Sequence, residues 1–481
     1  MLYFYDKSLE MKQLTLLLAL SLSALAGAQK HQSITQHIDQ RLDTYEEVAM
    51  QIFDWAEMGY QEVQSSALLK KTLEEAGFNI TSAVAEIPTA FVAEFGTDGP
   101  VIGILGEFDA LPGISQKAVP YKESANGRGG HACGHHLFGT ASAAAAIAVK
   151  AWLEETGTQG RIRFYGTPAE EGGGAKVYMA REGLFDDVDV VLHWHPGASN
   201  QVNEAAALAN ISAKFRFNGI SAHAAAAPER GRSALDAVES MNYMVNMMRE
   251  HIPQETRIHY VITDGGKAPN VIPDVAEVYY YSRHPRRDVV KSIFDRIVKA
   301  AEGAALGTET SMSYELVNGV HELLPNETLE LLVHQSMTEI GGYTYNEQER
   351  AFAKEISTTM DLTLDESITK RVLPYQKAQG AFGSTDVGDV SFVAPTVGFR
   401  TATWVPGTPA HSWQAVAAGG TSIGVKGMAL AAKTLAVSAA KLYKSPKLIA
   451  KAKEEFEQRR GKDFKYVPLL GNRPPALDYR N

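Results

Sequence analysis

Apolar and polar residues along the first part of the chain follow two alternating patterns. Short apolar runs, typical of buried strands, occur at 101–108, 161–166 and 188–195. Between them lie longer stretches with the composition of helices, such as the alanine-rich segment 139–155. Strands that alternate with helices predict an α/β fold with a largely parallel, helix-flanked sheet.

The pattern changes between residues 209 and 321. In this region we expect three strands and two helices, at 209–219, 256–266, 276–283, 233–251 and 288–305. The first helix carries apolar residues at helical spacing, namely Leu235, Val238, Met241, Val245 and Met248. The region therefore predicts a separate α+β unit, and we interpret its methionine stripe as core or dimer contact.

The composition is that of an ordinary globular protein, with 45% hydrophobic and 21% charged residues. The net charge is −10, and the body of the chain has no dense run of lysine or arginine. A nucleic-acid surface would concentrate positive charge on one face, so the charge balance argues against a nucleic-acid partner. Small or neutral ligands fit the composition better.

The N-terminal segment has the features of a secretory signal peptide. Met11 and Lys12 give it a positive start, an apolar run of about a dozen residues follows, and small residues stand at Ala26 and Ala28. We expect residues 1–28 to be removed and the mature protein to be exported, either periplasmic or secreted. The alternative is a buried N-terminal helix. No later stretch reaches the roughly 18 apolar residues that a spanning helix needs, so no membrane span is expected in the mature chain.

The segment "GHACGHH" at 130–136 holds the only cysteine of the chain beside three histidines. One cysteine cannot form an internal disulfide, so Cys133 is either an inert core residue or chemically employed. A structural cysteine usually lies among aliphatic residues, whereas Cys133 follows a glycine-rich loop and stands next to His131, His135 and His136. Thiolates and imidazoles are preferred ligands of zinc and related ions, so the segment predicts a metal site.

Further candidate ligands stand at the ends of predicted strands. Glu170 and Glu171 follow the strand 161–166, where one carboxylate could hold a metal while the other faces bound water. The simpler alternative is a solvated pair of charges. His193 and His195 end the next strand, and strand alternation places both on one face, so at least one of them is predicted to be a ligand.

Two other chemistries fit the sequence poorly. The glycines after Glu171 do not form a phosphate loop, because the spacing before the lysine is wrong and no serine or threonine follows it. Gly420–Gly424 matches the Gly-x-Ser-x-Gly elbow of serine hydrolases. No histidine follows Ser422, however, since His411 is the last histidine of the chain, so the usual order of that triad is impossible.

The motifs resemble those of the dinuclear metallo-aminoacylase and carboxypeptidase superfamily. They occur in the order of that superfamily and are "GHACGHH", "TPAEEGGGAK", "LHWHPG", "NGISAHAA", "NVIPD" and "PAHSW". The chain is similar to the amidohydrolase branch, which includes auxin-conjugate and hippurate hydrolases, and Gly383–Asp389 is similar to the aminobenzoyl-glutamate group in particular. The resemblance covers nearly the whole mature chain.

The resemblance implies two divalent metal ions in each copy of the chain, Mn²⁺ or Zn²⁺, with Glu170 as the general base. The implied ligands are Cys133, His135, Glu171, His193 and His411. His193 is preferred to His195 because the branch has a histidine three residues before a proline, as His193 stands before Pro196. His136, which stands where relatives often have Asp or Asn, is kept as an alternative ligand.

The unit between residues 209 and 321 resembles the family's lid and dimerisation domain. The implied organisation is a catalytic domain in two parts and an inserted lid, at 29–208, 322–481 and 209–321. In relatives the histidine that matches His223 crosses to the oxyanion site of a second copy, so we expect a homodimer. Lid residues that match Asn270 and Arg283 hold the substrate's carboxylate in those relatives.

Sequence and resemblance together predict a metal-dependent amidohydrolase that cleaves the amide bond of N-acyl or N-aroyl amino acids, such as aminobenzoyl-glutamate-like amides. The expected partners are a small-molecule amide substrate, a second copy of the chain and, optionally, a second subunit type. The intact Glu170 favours an enzyme over the alternative, which is a non-catalytic binding protein or partner subunit of the same fold. The sequence assigns no role to the charged tail that begins at Lys451.

Overall fold

The computed structural model describes residues 32–378, 380 and 383–480. The predicted signal peptide, residues 1–28, lies outside the described residues. The strands are, in chain order, β1 (Asn79–Ser82), β2 (Phe91–Phe95), β3 (Val101–Gly106), β4 (Leu111–Pro112), β5 (Gly129–Gly130), β6 (Arg161–Gly166), β7 (Val190–Leu192), β8 (His195–Gly197), β9 (Ala209–Asn218), β10 (Arg257–Asp264), β11 (Val275–His284), β12 (Ser311–Val320), β13 (Thr396–Val397) and β14 (Arg400–Ala402).

The α-helices are, in chain order, α1 (Gln32–Asp39), α2 (Leu42–Trp55), α3 (Val63–Glu75), α4 (His135–Thr156), α5 (Ala175–Arg181), α6 (Ala234–Met248), α7 (Arg287–Gly307), α8 (Glu327–Ile340), α9 (Glu347–Thr358), α10 (Ser367–Lys370), α11 (Val387–Ser391), α12 (Trp413–Gly419), α13 (Ser422–Lys444) and α14 (Pro446–Arg460). Short 3-10 helices lie at Val84–Glu86, Pro228–Arg230 and Arg249–His251.

The larger sheet has six strands in the order β1-β2-β6-β3-β7-β13. Strands β6, β3, β7 and β13 are parallel, whereas β1 and β2 form an antiparallel edge. Strand β3 is buried along its whole length, as expected for a parallel strand that is covered on both faces. The predicted α/β class with a largely parallel sheet is confirmed.

Helices α4 and α13 pack against each other in the core of this domain. Both are long and apolar enough to span a membrane by length and composition. From the sequence, no such stretch is expected in the mature chain. In each helix, 89% of the most apolar window is buried inside the protein. Their apolar character is explained by their central position, since alanine-rich faces such as residues 143–146 of α4 allow helices to pack closely.

The apolar run at 188–195 forms two short strands rather than one. Strand β7 ends at Leu192 and pairs with β13, while β8 begins at His195 and pairs with β14 in a separate two-stranded sheet. Residues 193 and 194 between them lie outside both strands. The alternation predicted that His193 and His195 would share one face of a continuous strand. This prediction is wrong, because no single strand contains both residues.

The second sheet has the order β10-β11-β9-β12 and is antiparallel throughout. Helices α6 and α7 pack on it around a separate apolar core, in which Val238, Met241 and Val245 are fully buried. The methionine stripe of α6 is thus largely core. The chain enters this unit through β9 and leaves it through β12. These two strands pair with each other, with Asn210 opposite Val320, so both connections to the larger domain lie close together.

Candidate active site

The carboxyl ends of the neighbouring strands β6, β3 and β7 meet at one edge of the large sheet. Strand β3 is followed by Glu107 and Asp109, β6 by Glu170 and Glu171, and β7 by the segment that contains His195. Open α/β sheets place their sites at this edge, because the loops that leave the strands converge there.

Cys133 and His135 flank Gly134, which precedes the first residue of α4. Gly134 has a φ of 76°, in the left-handed region that favours glycine. A Cβ at this position would lie 2.7 Å from the Cβ of Pro196, so a larger residue would not fit. This tight turn places the Sγ of Cys133 3.3 Å from the Nε2 of His195.

Three groups of possible metal-binding side chains occur at this edge, each with donor atoms within 4.8 Å of one another. The groups are Cys133, His135 and His195; Cys133, Glu171 and His411; and Glu107, His135 and Glu170. Cys133 and His135 are each shared by two groups, so the three groups form one continuous cluster. The structure thus brings together Cys133, His135, Glu171 and His411, with Glu170 beside them.

His193 is the predicted ligand that the structure does not place in this cluster. Its imidazole packs against Gly398 so closely that a side chain at that position would clash with the ring. His195 takes the place expected of His193, with its Nε2 facing Cys133. The structure thus differs from the prediction made from the spacing to Pro196, because the chain leaves the strand after Leu192 and resumes a different pairing at His195.

His136 also lies outside the three groups of donor atoms. Its Nε2 donates a hydrogen bond to the carbonyl of Gly419 at 3.1 Å, and its ring packs against that of His131 at 4.8 Å between centroids. Burial and the neighbouring His131 lower the pKa of His136 well below its ordinary value. The structure gives His136 a packing role in place of the alternative role as a ligand.

Two of the three clustered histidines, His135 and His195, are oriented by their Nδ1 atoms. His135 Nδ1 lies 2.9 Å from Asp109 Oδ1, and His195 Nδ1 lies 2.7 Å from the carbonyl oxygen of Pro196. An ionised carboxylate and a carbonyl only accept hydrogen bonds, so each Nδ1 donates. In the neutral ring, each Nε2 therefore keeps a lone pair that faces the cluster, which is the arrangement of metal-binding histidines.

The turn that carries the two glutamates is held at several points. Ala169 adopts a φ of 55°, which is uncommon for a residue other than glycine and typical of functional sites. Its N–H donates to Glu62 Oε1 at 2.8 Å, and the N–H of Glu171 donates to Asp109 Oδ2 at 2.9 Å. Two buried carboxylates thus fix the direction of this turn.

His411 reaches the cluster from the loop before α12. It also has a left-handed backbone, with a φ of 60°, and its N–H donates to the carbonyl of Ala132 at 3.0 Å. Its Nε2 lies 3.3 Å from Glu171 Oε1, and this carboxylate raises the pKa of His411 above its ordinary value. The loop is therefore attached directly to the segment that contains Cys133.

A buried ion cluster supports the site from behind, and sequence reasoning missed it. Lys176 Nζ lies 2.7 Å from both Glu107 Oε1 and Asp386 Oδ1, and all three side chains are nearly inaccessible to solvent. A lysine in an apolar helix carries no sequence signal, and its partner Asp386 is 210 residues away. Asp109 had a signal, because it follows Glu107 just beyond the end of β3.

The electrostatics of the cluster favour a bound cation. Burial, with the charges of Glu107 and Glu171 nearby, raises the pKa of Glu170 well above its ordinary value. Burial alone would lower the pKa of His135, but the surrounding thiol and carboxylates raise it. The carboxylates and the thiolate of the cluster would repel one another when ionised, and a bound divalent ion would neutralise this negative charge.

The residues present fit a metal centre by a second criterion. Within the described part of the chain, His135 Nε2, Glu107 Oε2 and Glu171 Oε1 are buried atoms that make no well-aligned hydrogen bond, although His135 Nε2 lies 3.1 Å from Glu107 Oε2 and Glu171 Oε1 lies 3.3 Å from His411 Nε2. Buried polar atoms are rarely left unpaired, and these three belong to the cluster. Thiolate, imidazole and carboxylate together are a ligand set that suits zinc and related divalent ions.

The predicted lid residues His223 and Asn270 lie on adjacent segments of the second domain and are exposed. His223 forms a β-bridge with Val271. Its Nδ1 accepts hydrogen bonds from the N–H groups of Ala225 and Ala226 at 3.2 and 3.1 Å. Since Nδ1 accepts, the proton of the neutral ring lies on Nε2, which can donate to a ligand.

Arg283 lies on β11 and is half-buried. Its guanidinium stacks on the ring of Tyr281, with 5.1 Å between the guanidinium carbon and the ring centroid. Its Nε is buried and has no hydrogen-bond partner in the described part of the chain. Arg283 therefore keeps an unused donor that could bind an acceptor such as a carboxylate.

Comparison with known proteins adds independent evidence. Residues 103–416 match peptidase family M20/M25/M40. The chain is 42% identical to one of the subunits of p-aminobenzoyl-glutamate hydrolase from Escherichia coli K12, in a match that covers 92% of this chain and 99% of that protein. It is 28% identical to the Xaa-Arg dipeptidase of Mus musculus, with 88% and 91% covered.

Solved structures share the fold. An aminobenzoyl-glutamate utilization protein from Klebsiella pneumoniae gives a TM-score of 0.59 at 17% identity, covering 85% of this chain and 98% of that chain. A dinuclear metal-binding peptidase of the M20 family from Bacillus subtilis gives a TM-score of 0.53 at 18% identity, with 83% and 99% covered.

Proposed function

The chain belongs to peptidase family M20/M25/M40 and is a metal-dependent amidohydrolase, and from this premise we propose that it hydrolyses N-aroyl amino acids of the aminobenzoyl-glutamate kind. The observation that carries the choice of substrate is the 42% identity, over nearly the full length of both proteins, to a hydrolase named for p-aminobenzoyl-glutamate. The cluster around Cys133, with Glu170 beside it, supports hydrolysis rather than binding alone.

In the proposed site the ligands are Cys133, His135, Glu171, His195 and His411. When bound, divalent ions supply Lewis acidity, which makes water acidic enough to lose a proton near neutral pH. Glu170 accepts the proton of the attacking water, whose oxygen bonds to the amide carbon. The C–N bond then breaks, and Glu170 returns the proton to the leaving nitrogen, so the products are a carboxylic acid and an amine.

We propose two ions in each copy of the chain, Mn²⁺ or Zn²⁺, because Cys133 is shared by two donor groups that otherwise differ in their members. Metal analysis of the purified protein tests the number. Cys133→Ser should lose metal, since a serine hydroxyl is a much poorer ligand than a thiolate at neutral pH. Equal metal content in this variant and in the wild type would contradict the assignment.

We propose that a homodimer through the lid completes the site. His223 is exposed with its Nε2 available, which suits a residue that donates to the oxyanion in a neighbouring copy of the chain. The edge strand β10 exposes Tyr260, Val261 and Ile262, which are 37%, 55% and 39% accessible. Such an edge is a suitable contact for a second copy of the chain.

Mixing of inactive variants tests the dimer. His223→Ala and Glu170→Gln proteins, mixed in equal amounts, should recover up to about one quarter of the wild-type activity. Half of the random dimers are hybrids, and each hybrid rebuilds one of its two sites. Hybrid dimers detected by mass spectrometry without recovered activity would contradict a crossing His223.

A second subunit type is a further part of the proposal, because two relatives are named as different subunits of one hydrolase. The chain is 42% identical to one of them and 29% identical to the other. The second of these matches covers 50% of this chain and 56% of that protein. Activity of the purified chain alone would show that no partner is required. A metal-loaded chain that hydrolyses nothing without its partner would favour the alternative of a non-catalytic component.

We also propose that the protein is exported after cleavage behind Ala28. The positive start, apolar run and small residues of the leader support this. Cell fractionation and the N-terminal sequence of the purified protein test it, and an intact N-terminus in the cytoplasm would contradict it.

An assay of the metal-loaded protein tests the substrate. The panel should contain p-aminobenzoyl-glutamate, benzoyl-glycine, an acetyl amino acid and a dipeptide, each with Mn²⁺ and with Zn²⁺. We expect the largest kcat/KM for the aroyl-glutamate. A clear preference for the dipeptide would replace the proposed substrate class with peptides.

A further inference from the structure

A C-terminal strap, defined as residues 461–480, follows α14 and touches both domains. Leu470 is 2% exposed in an apolar core of the catalytic domain, while its neighbour Leu469 packs against the core of the lid. Arg473 donates to the carbonyl of Val317 on β12 at 3.1 Å. The strap therefore connects the lid to the catalytic domain.

The catalytic domain holds the next part of the strap through its main chain. Arg181 of α5 donates to the carbonyl of Arg473 at 2.8 Å and to that of Gly471 at 3.4 Å. The hydroxyl of Tyr178, also on α5, donates to the carbonyl of Pro474 at 3.4 Å. These contacts direct the last residues of the strap towards the turn that carries the two glutamates.

The end of the strap contacts that turn directly. The Tyr479 hydroxyl donates to the carbonyl oxygen of Glu171 at 3.3 Å, and Arg480 Nη2 donates to the same oxygen. The ring of Tyr479 packs edge-on against that of Tyr60, with 5.6 Å between centroids. Any side chain at Gly59 would clash with the Tyr479 hydroxyl, so glycine is needed there.

Both peptide groups around Glu171 are consequently held. Asp109 accepts the N–H of Glu171, and the strap donates to its carbonyl. The next residue, Gly172, has a φ of 109°, a conformation in which the backbone would relax easily if released. Two fixed peptide groups leave the Glu171 side chain few directions in which to point.

We propose that Tyr479 and Arg480 are positioning residues that hold Glu171 in its ligand geometry and so tie the metal centre to the lid through the strap. The proposal rests on the proposed function, in which Glu171 binds metal. Groups that orient a metal ligand typically change metal affinity by about 10- to 100-fold when removed. The strap thus acts on the centre although none of its residues is a ligand.

Arg480 also interacts with the lid through its charge. The charge of Arg480 acts on Tyr279 of β11, where it opposes the rise in pKa that burial causes. The hydroxyl of Tyr279 lies 3.1 Å from that of Tyr281, whose ring carries Arg283. The guanidinium of Arg480 therefore donates a hydrogen bond to Glu171 and acts on the lid through its charge.

Zinc retention tests the proposal without relying on activity. Zn²⁺-loaded full-length protein is challenged with increasing chelator, and the retained zinc is measured for Arg480→Ala, Tyr479→Phe, Arg480→Lys and the exposed control Asp478→Ala. We expect Arg480→Ala to lose zinc at about 10- to 100-fold less chelator than the wild type, and Tyr479→Phe to shift in the same direction. Arg480→Lys should retain most of the affinity, and Asp478→Ala all of it.

Kinetics give a second readout. Because Glu171 would hold metal and not substrate, kcat at limiting metal should fall in Arg480→Ala while KM changes little. Tyr479→Phe removes only the hydroxyl and keeps the ring packing on Tyr60, so a loss of zinc in this variant would not result from misfolding. Wild-type retention in both variants, or an equal loss in Asp478→Ala, would overturn the proposal. A wild-type protein that binds no zinc and hydrolyses nothing would instead overturn the proposed function, and the strap proposal with it.

Discussion

The metal-binding edge of the large sheet and the lid face hold their functional side chains in different ways. At the sheet edge the clustered residues are buried or half-buried except for His411, which is exposed, and His135 and Glu107 are only 0% and 1% exposed. On the lid, His223 and Asn270 are exposed, and Arg283 is half-buried with an unpaired Nε. The first region is fixed before any ligand arrives, whereas the second offers free donors.

This difference indicates a division of labour. Catalytic groups must stand in place within a fraction of an ångström, so they need a second layer of hydrogen bonds and ion pairs. Asp109, Lys176 and Asp386 supply that layer at the sheet edge. Groups that bind substrate only after a lid closes can be exposed to solvent in the open state, because closure itself orders them.

The largest effect is expected from the base at the sheet edge. Glu170→Gln should keep the metal yet lower kcat by about 10³-fold or more, because the amide cannot take a proton from water. Metal analysis and initial rates measure both properties. Glu171→Gln is the matched control and should lose metal as well, so reversed phenotypes of the two variants would show that the roles are exchanged.

The two regions should also differ in how much their ion pairs contribute to the free energy of unfolding. Lys176→Met should lower the free energy of unfolding by about 3 to 5 kcal/mol, because Glu107 and Asp386 would remain buried without their cation. In the lid, Arg232 lies 2.5 Å from Glu309 in an exposed pair. Arg232→Ala should cost less than about 1 kcal/mol. Urea unfolding measures both values, and similar losses would contradict the contrast between the two regions.

The two neighbouring histidines separate the sheet edge from its surroundings. His195→Ala should weaken zinc binding by about 100-fold, since it removes a ligand whose ring is already oriented by Pro196. His193→Ala should leave zinc retention unchanged, although loss of packing against Gly398 can lower stability. Chelator titration of both variants decides between them, and the opposite result would restore His193 as the ligand.

The smallest effect is expected on the lid. Arg283→Ala should lower kcat/KM for a free-acid substrate by about 10- to 50-fold, as expected for a lost charged hydrogen bond, with metal content unchanged. The corresponding amide or ester, which lacks the carboxylate, is the control substrate and should be affected much less. Equal losses on both substrates would remove the carboxylate-binding role of Arg283.

The sheet edge could be predicted where its chemistry is local in sequence. The turn Cys133-Gly134-His135 concentrates ligand-type groups at the start of a helix, and the adjacent pair Glu170 and Glu171 follows a parallel strand whose carboxyl end lies at this edge. The structure places His195 rather than His193 in the cluster. Neither the family spacing to Pro196 nor periodicity shows where a strand changes its partner.

Other features depend on contacts between distant residues. In the sequence, Lys176 is an isolated charge in an apolar segment, and only the fold places its partner Asp386 beside it. The strap has no periodic pattern of apolar residues. In the second domain, apolar periodicity predicted both helices and three of the four strands, because each of these buries one regular face. Strand β12 was missed, because its burial does not alternate along its length. The sequence alone could not indicate that the tail after α14 returns to Glu171.

The second domain, residues 209–320, is inserted between two parts of the larger domain, and this order affects how the chain folds during synthesis. Cys133 and His135 leave the ribosome long before His411, and the attachment of His136 to Gly419 spans 283 residues. The second domain, whose core comes almost wholly from one stretch of chain, can fold while synthesis continues, whereas contacts at such separation form slowly and late. Tight metal binding would then mark the end of folding, and a chain released early would hold its ion poorly.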